Sequence, residues 1–279
     1  MIEFKDVCVS YVEDTPILDK VNFTINDGEF VSFVGSNGAG KSTTMRLMNG
    51  LLKPNAGEVL IDGVPTTKLK TSELARKIGF LFQNPDRQIC CDTVRAELEF
   101  SFKAQNALDD EARARVDAII DEFGFDADAE PYLLNRGTRQ LLALASIIVT
   151  APDVIILDEP TTGLDYLECC KVMEAIKKLH EEGKTIVMVC HDMEVVADFA
   201  DRVIVMTFGS MVADGPTFDI LRNAEVLNRA DLIAPQIIAI AEQLIQNNPS
   251  LSTSPIASAT TIEELTNALE DIAGQKGGR

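Results

Sequence analysis

The chain has 279 residues, of which 46% are hydrophobic, and 44 acidic side chains outnumber 25 basic ones to give a formal net charge of −19. This length and apolar content favour one large folded domain with a small appendage. The negative charge argues against a basic surface for nucleic acid and against direct adhesion to an anionic lipid leaflet.

The first 34 residues alternate between apolar and polar side chains, as antiparallel strands do. Residues 26–28 read Asn-Asp-Gly, which is typical of a turn, and residues 57–61 have the composition of a further strand. We therefore predict an antiparallel β subdomain on both sides of residues 35–43.

Residues 35–43 read GSNGAGKST and directly follow the apolar run Val31–Val34. They fit the phosphate-binding pattern G-x-x-x-x-G-K-[ST] in its usual setting, between a strand and a helix that begins near Lys41. Glycine lets the backbone N–H groups approach an anion, and the positive end of the helix points to the same place. In this pattern Lys41 reaches the β- and γ-phosphates and Ser42 ligates Mg²⁺. The predicted nucleotide-binding residues are Gly35, Ser36, Asn37, Gly38, Ala39, Gly40, Lys41, Ser42 and Thr43.

The middle of the chain, about residues 92–150, is predicted to form an inserted helical subdomain. Residues 93–107 and 110–123 are rich in Glu, Ala, Arg and Leu, with Thr93 and Asp110 as candidate helix caps. Residues 139–150 have the composition of an apolar helix. Residues 154–215 then return to alternating strands and helices. From about residue 225 we predict a helical tail, with helices at 237–245 and 261–272 joined by a polar linker at 246–253.

Four short apolar runs each end abruptly at a polar residue or loop, and they are Val31–Val34, Ile78–Phe82, Val154–Leu157 and Thr185–Cys190. Continuous apolar runs of this length are typical of strands buried on both faces. Ligands of open parallel sheets bind beyond the carboxyl ends of the strands. We therefore expect the phosphate loop, Gln83, Asp158, Glu159 and His191 to meet at one edge of a sheet.

These groups suit phosphoryl transfer to water, which depends on positioning and on charge neutralisation. We predict that Asp158 helps hold Mg²⁺, that Glu159 polarises the attacking water, and that His191 bonds the γ-phosphate. Gln83 would sense both Mg²⁺ and water. Each residue has a structural alternative: an Asp-Glu pair can be a solvated cap, and a histidine or glutamine at a strand end can simply be a satisfied core residue.

The six cysteines include two adjacent pairs and form no C-x-x-C motif. We expect reduced thiols and a cytoplasmic protein. The longest apolar stretches, such as residues 141–149, are far shorter than the ~20 residues of a membrane span. A second protein would have to hold this chain at a membrane.

The motifs of residues 1–222, and their order along the chain, resemble those of an ATP-binding cassette (ABC) ATPase. The resemblance includes LNRGTRQ at 134–140, which we call the signature segment, ILDEP at 156–160 and GLD at 163–165. It implies an α/β P-loop NTPase cassette with ATP and Mg²⁺ as cofactors. It also implies that each ATP lies between two cassettes, bound by one phosphate loop and by the other cassette's signature helix. The resemblance implies that Tyr11 stacks on adenine and that Asn135 and Gly137 of the signature segment contact the partner's ATP. It implies that Asp165 links the two ATP sites.

The signature segment departs from the family's usual L-S-G-G-Q, since Asn135, Arg136 and Thr138 replace the serine, the first glycine and the glutamine. Asn135 can still cap the helix and donate to a phosphate. These replacements affect the ATP site that the signature helix completes, and the phosphate loop of that site belongs to the partner cassette. It favours a heterodimer with unequal sites over a homodimer.

The segment Phe82–Ile89, FQNPDRQI, and the tail sequence LIAPQ at 232–236 resemble the energy-coupling factor (ECF) branch, which imports vitamins or cobalt and nickel ions. This implies a transmembrane coupling subunit that docks near Gln83–Ile89, a substrate-capture membrane subunit, and a peripheral position on the cytoplasmic face of the cell membrane. The predicted domains are a cassette at 1–224 and a C-terminal helical dimerisation or regulatory tail at 225–279. The alternatives are an ATPase of another ABC transporter branch and a non-transport ABC ATPase.

Overall fold

The structure, a computed structural model, describes residues 1–12 and 15–277. The described residues form two β-sheets surrounded by helices. The strands are β1 (Ile2–Val12), β2 (Thr15–Ile25), β3 (Phe30–Val34), β4 (Ala56–Ile61), β5 (Val64–Pro65), β6 (Ile78–Leu81), β7 (Val154–Asp158), β8 (Thr185–Val189), β9 (Arg202–Thr207) and β10 (Ser210–Pro216).

The larger sheet has the strand order β10-β9-β3-β8-β7-β6, in which only β10 is antiparallel to its neighbour among the described strands. The four apolar runs form β3, β8, β7 and β6, and these strands lie side by side. The prediction that their carboxyl ends share one sheet edge is therefore confirmed. The smaller sheet, in the order β2-β1-β4-β5, is the predicted antiparallel subdomain.

Eleven α-helices are present among the described residues. They are α1 (Lys41–Met48), α2 (Thr71–Lys77), α3 (Val94–Ala104), α4 (Asp110–Phe123), α5 (Arg136–Ile148), α6 (Tyr166–Glu181), α7 (Met193–Phe199), α8 (Thr217–Leu221), α9 (Ala224–Ala230), α10 (Gln236–Asn247) and α11 (Ile262–Gly277). No helix in the described part of the chain is long and apolar enough to cross a membrane.

The two faces of the large sheet are covered by different layers. Val31 and Phe33 of β3 pack with the antiparallel sheet and α1, in one hydrophobic core. Phe30 and Val34 of the same strand belong to a second core, which also contains helices α3 to α7. Because both faces of β3 are buried, its sequence is apolar on both faces rather than alternating, apart from the buried Ser32, whose hydroxyl donates to the Met188 carbonyl.

The helical subdomain consists of α3, α4 and α5, with two corrections to the predicted boundaries. The hydroxyl of Thr93 accepts a hydrogen bond from the Ala96 N–H, as a cap should, but the cap of α4 is Asp109, whose carboxylate accepts from Ala112 N, and not Asp110. Helix α5 begins at Arg136 instead of residue 139, because the Asn135 side chain accepts from Thr138 N and fixes the helix start there.

The C-terminal tail contains α9, α10 and α11, and its side chains belong to the same core as helices α3 to α7. The predicted polar linker at 246–253 is wrong in part, since residues 246 and 247 continue α10 and residues 249–253 form a 3₁₀ turn. The last two residues of the predicted tail, 278 and 279, lie outside the described residues. The division into domains at residue 224 stays a prediction.

Candidate functional site at the carboxyl edge of the parallel sheet

The loop between β3 and α1 lies so close to the sheet that two of its glycines are required. Gly35 has φ +136°, and a Cβ there would lie 1.9 Å from the Met206 carbonyl oxygen of β9. Gly40 has φ +99°, and a Cβ there would lie 2.5 Å from the Leu18 side chain. A side chain at either position would collide with these neighbours, so glycine is what lets the loop curve closely over the carboxyl ends of β3 and β9.

Helix α1 opens directly from this curve. Its N-cap is Gly40, which brings no side chain to the first N–H groups, so these groups stay available to an anion. The Lys41 ammonium donates to the carbonyl oxygens of Gly35 at 2.7 Å and Ser36 at 2.9 Å. Burial lowers the pKa of Lys41, while the nearby charges of Glu159 and Asp158 raise it. A positive charge and a helix N-terminus thus converge on one concave loop.

A pair of oxygen groups lies beside this loop. The Ser42 hydroxyl donates to Oδ1 of Asp158 at 3.2 Å, which joins the start of α1 to the end of β7. Burial raises the pKa of the Asp158 carboxyl, and the Ser42 hydrogen bond opposes the shift. A hydroxyl and a mostly buried carboxylate are hard oxygen ligands, and an adjacent Mg²⁺ would relieve the cost of burying the charge. The residues present therefore fit a magnesium ion.

Glu159 is at the centre of a hydrogen-bonded cluster. The Gln83 amide donates to its Oε2 at 2.7 Å, the Thr162 hydroxyl donates to the same oxygen at 2.9 Å, and Nε2 of His191 lies 3.0 Å from Oε1. The backbone of Glu159 has φ +53°, a left-handed conformation that a non-glycine residue adopts at a cost. Its N–H donates to the Val189 carbonyl at 3.0 Å, which anchors this turn to β8. The fold thus orients one carboxylate from three sides.

Tyr11 lies at the other end of the phosphate loop. Its hydroxyl is 3.4 Å from the Thr43 hydroxyl, and just over half of its surface is exposed. Tyr11, Ile17, the loop, Glu159 and His191 line one cavity of about 250 Å³. An exposed aromatic face next to a phosphate loop suits stacking against a planar base.

The structure therefore brings together the predicted residues Tyr11, Lys41, Ser42, Gln83, Asp158, Glu159 and His191. The predicted residues Asn135, Gly137 and Asp165 do not line either cavity that contains the phosphate loop. Asn135 and Gly137 lie at the start of α5 and Asp165 caps α6, and these two helix starts meet through Gly137 and Glu168. A Cβ at Gly137 would lie 2.1 Å from the Glu168 carboxyl carbon, and Glu168 and Asp165 form a reciprocal capping box.

Sequence reasoning missed three contributors to this region. Thr162 bonds Glu159, Ile17 lines the cavity beside Tyr11, and Glu168 covers Gly137. The D-x-x-E spacing of Asp165 and Glu168 is a capping-box signal that predicts their reciprocal hydrogen bonds, but it does not predict the contact of Glu168 with Gly137. Arg136 also has a structural role, since its guanidinium donates to the Thr162 carbonyl at 3.0 Å.

Comparison with known proteins gives consistent relatives. The profile of the ABC transporter family, ABC_tran, matches residues 18–162. A protein named as an ABC transporter ATP-binding protein in Caldanaerobacter subterraneus subsp. tengcongensis is 40% identical over 88% of this chain, and the chain spans only 43% of that protein's length. The energy-coupling factor transporter ATP-binding protein EcfA2 of Clostridium tetani is 34% identical over 99% of this chain and 98% of its own.

A solved structure shares the fold. It is cbiO1 from Clostridium perfringens, described as part of the ABC transporter complex cbiONQ. It superposes with a TM-score of 0.73 and 32% identity, over 86% of this chain and 98% of its own. Most of this chain thus has the fold of a subunit of an ABC transporter complex.

Proposed function

This chain belongs to the ABC transporter family, and from that premise we propose that it is the ATP-binding and ATP-hydrolysing subunit of an energy-coupling factor importer, for a vitamin or for cobalt or nickel ions. The branch is supported by the named relatives, EcfA2 over nearly the whole chain and cbiO1 over most of it. The substrate class follows the branch alone, since nothing in a cassette contacts the cargo.

One observation carries the hydrolytic part of the proposal. The Glu159 carboxylate is held by Gln83 and His191 beside the phosphate loop, at the junction of three strand ends. A general base must have fixed geometry toward the water that it polarises. Two hydrogen-bond donors, Gln83 and Thr162, the His191 imidazole at 3.0 Å and an anchored left-handed turn provide such geometry for Glu159.

We infer the remaining roles from the same geometry. Lys41, which now bonds two carbonyl oxygens of its own loop, exchanges these for the β- and γ-phosphates of ATP. Ser42 and Asp158 hold Mg²⁺, with Gln83 close by, and the ion neutralises phosphate charge when bound. His191 bonds the γ-phosphate and Tyr11 stacks on the adenine.

A second cassette completes the site in this proposal. Asn135 and Gly137 lie outside the cavity of their own phosphate loop. Asn135 is exposed and can meet the ATP of a partner, whereas Gly137 is buried against Glu168 and becomes available only when that side chain moves aside. Asp165 lies beside them at the start of α6 and contributes to the same interface. The replacement of the usual signature residues by Asn135, Arg136 and Thr138 favours a paralogous partner over an identical one, because the two ATP sites would then differ.

A membrane coupling subunit docks near Gln83–Ile89 in this proposal, and a substrate-capture subunit acts with it at the cytoplasmic face of the membrane. Residues of this segment contact both Glu159 and helix α5, which carries the signature segment at its start. Gln83 bonds Glu159, while the Gln88 amide donates to the Ala143 carbonyl of α5 at 2.8 Å. Arg139 of α5 also forms an ion pair with Asp86 at 3.1 Å. Movement of a docked subunit would therefore reach the hydrolytic carboxylate and the signature helix together.

The test is the Glu159→Gln substitution in the chain co-purified with its cassette partner and membrane subunits. Glutamine keeps the shape and one acceptor oxygen of Glu159 but cannot accept a proton. We expect ATP to remain bound while the rate of phosphate release falls by at least about 100-fold. Bound nucleotide and released phosphate are measured on the same preparation.

Two further variants make the result specific. Glu182→Gln removes an exposed carboxylate at the end of α6 and should leave both quantities unchanged. Lys41→Ala should weaken ATP binding itself. Hydrolysis at the wild-type rate by the Glu159→Gln complex would rule out the role of Glu159, and full ATP affinity in the Lys41→Ala chain would rule out the nucleotide site.

A further inference from the structure

Three potential metal ligands cluster where the chain enters α3, directly after the segment Gln83–Ile89: Cys90 and Cys91 precede the helix and Glu97 lies in its first turn. The thiol sulfurs of Cys90 and Cys91 and a carboxylate oxygen of Glu97 all lie within 4.8 Å of one another. It is the only such group of three among the residues that the structure describes. None of the three has a role in the proposed ATPase site.

The carboxylate of this cluster is fixed in place. Glu97 is only 3% exposed, and its Oε2 accepts hydrogen bonds from the backbone N–H groups of both Cys90 and Cys91 at 2.9 Å each. These bonds neutralise part of the buried charge and set the orientation of the carboxylate toward the two thiols. Hydrogen bonds to a ligating group have the same effect in metal sites, where they orient the ligand.

The backbone lets two adjacent thiols act together here. Cys90 and Cys91 lie in an irregular segment before α3, where successive side chains are free of helical geometry. The other adjacent pair, Cys169 and Cys170, lies within α6, where neighbouring residues point in different directions. That pair has no third ligand at a comparable distance among the described residues.

We propose that Cys90, Cys91 and Glu97 bind a borderline-soft divalent cation of the Zn²⁺ type. Two thiolates select such an ion over Mg²⁺, and a carboxylate oxygen is an accepted third ligand of Zn²⁺. Zn–S bonds of about 2.3 Å need the sulfurs less than 4 Å apart, so only a small adjustment separates the present spacing from a ligated one. The exposed side of Cys90 provides the route of entry and leaves a fourth position for water. Binding releases the two thiol protons to solvent.

Such an ion would fasten the end of the segment Gln83–Ile89 to the first turn of α3. Without the ion, this connection consists of the two hydrogen bonds from the backbone N–H groups of Cys90 and Cys91 to Glu97. A cation that joins three residues would stabilise the folded state in proportion to its concentration above the dissociation constant.

The experiment measures Zn²⁺ binding to the full chain, with excess Mg²⁺, without nucleotide and with a phosphine reductant that keeps the thiols reduced. The probes are Zn²⁺ stoichiometry by equilibrium dialysis, and Co²⁺ as a substitute whose thiolate charge-transfer absorption reports sulfur ligation. We expect one Zn²⁺ per chain, a higher melting temperature with Zn²⁺, and a thiolate band with Co²⁺.

The matched variants are Cys90→Ser/Cys91→Ser and Cys169→Ser/Cys170→Ser, which each remove one adjacent pair of thiols. The first should lose the bound Zn²⁺ and the band, and the second should keep both. Glu97→Gln retains an acceptor for the two N–H groups and should bind at least about tenfold more weakly. The proposal is overturned if the wild-type chain takes up no Zn²⁺, or if the Cys90→Ser/Cys91→Ser chain still binds one equivalent.

Discussion

Glu159 illustrates how far single residues can be inferred from the chain. Its place after a buried apolar run predicts that it reaches the sheet edge with Asp158, and the structure brings both there. Its partner Thr162 could not be foreseen, because that contact depends on the left-handed turn at Glu159 (φ +53°). A backbone conformation of this kind is stabilised by distant contacts, here the carbonyl of Val189, and leaves no local sequence signal.

Asp158 yields a prediction about stability. Burial raises the pKa of its carboxyl above the usual value, so ionisation costs folding free energy. The cost is absent below the unfolded-state pKa of about 3.9 and is complete above the higher folded-state pKa. In the chelator-treated protein, we expect Asp158→Asn to raise the melting temperature at neutral pH, since asparagine keeps an acceptor for Ser42. The gain should shrink as the pH is lowered toward 4.

Calorimetry at several pH values checks this, with MgATP as the second condition. MgATP should raise the melting temperature of the wild-type chain more than that of the variant, because the variant lacks a charged ligand for Mg²⁺. An Asp158→Asn protein that is less stable than wild type at every pH would contradict the prediction.

Among the elements, interiors were predictable and ends were not. Continuous apolar runs predicted β3, β6, β7 and β8 to within one or two residues. The caps were harder: Asp109 and Asp110 are chemically identical neighbours, and only the hydrogen bond to Ala112 shows which of them caps α4. The apolar pattern of α5 begins only at residue 139, because its first turn is polar and is set by the Asn135 cap that the signature segment predicts.

The Asn135 cap gives the prediction at the scale of an element. Its side chain accepts from Thr138 N at 2.8 Å, so Asn135→Ala leaves one first-turn N–H of α5 without this partner. We expect a loss of about 1 kcal/mol in the free energy of unfolding, while Asn135→Ser, which keeps a capping oxygen, should lose only a fraction of that. Denaturant unfolding of the three proteins compares them. Equal losses in both variants would show that the cap does not stabilise α5.

At the scale of the whole molecule, the predicted cassette and the predicted tail share one hydrophobic core, so the change of composition between them is not matched by a break in the packing. Ile238 of α10 and Leu265 of α11 are buried in the same core as Leu142 of α5. Composition marks a change near residue 225, but packing against the sheet is a long-range property that a change of composition does not encode. The alternation of strands and helices, by contrast, is local, and it predicted the α/β core, whereas the cassette architecture was implied by the resemblance of the motifs.

The proposed two-cassette assembly leads to a prediction on the same scale. If each ATP is bound between two cassettes, the Glu159→Gln chain mixed with its paralogous partner should form, on addition of ATP, a species with the mass of two cassettes. Light scattering with and without ATP measures this. A mixture that keeps single-cassette mass at saturating ATP would contradict the shared site, and an equal response from the chain alone would favour a homodimer.

The hydrogen bond from Arg136 to the Thr162 carbonyl connects the start of α5 to the surroundings of Glu159. The Thr162 hydroxyl also donates to Glu159, so one residue contacts both the start of α5 and the Glu159 carboxylate. A ligand that binds at the start of α5 would displace Arg136 and, through it, Thr162. The orientation of the Glu159 carboxylate would then change. In the proposed two-cassette assembly, a nucleotide bound against the start of α5 would act on Glu159 through Thr162, so hydrolysis at the two ATP sites would be coupled.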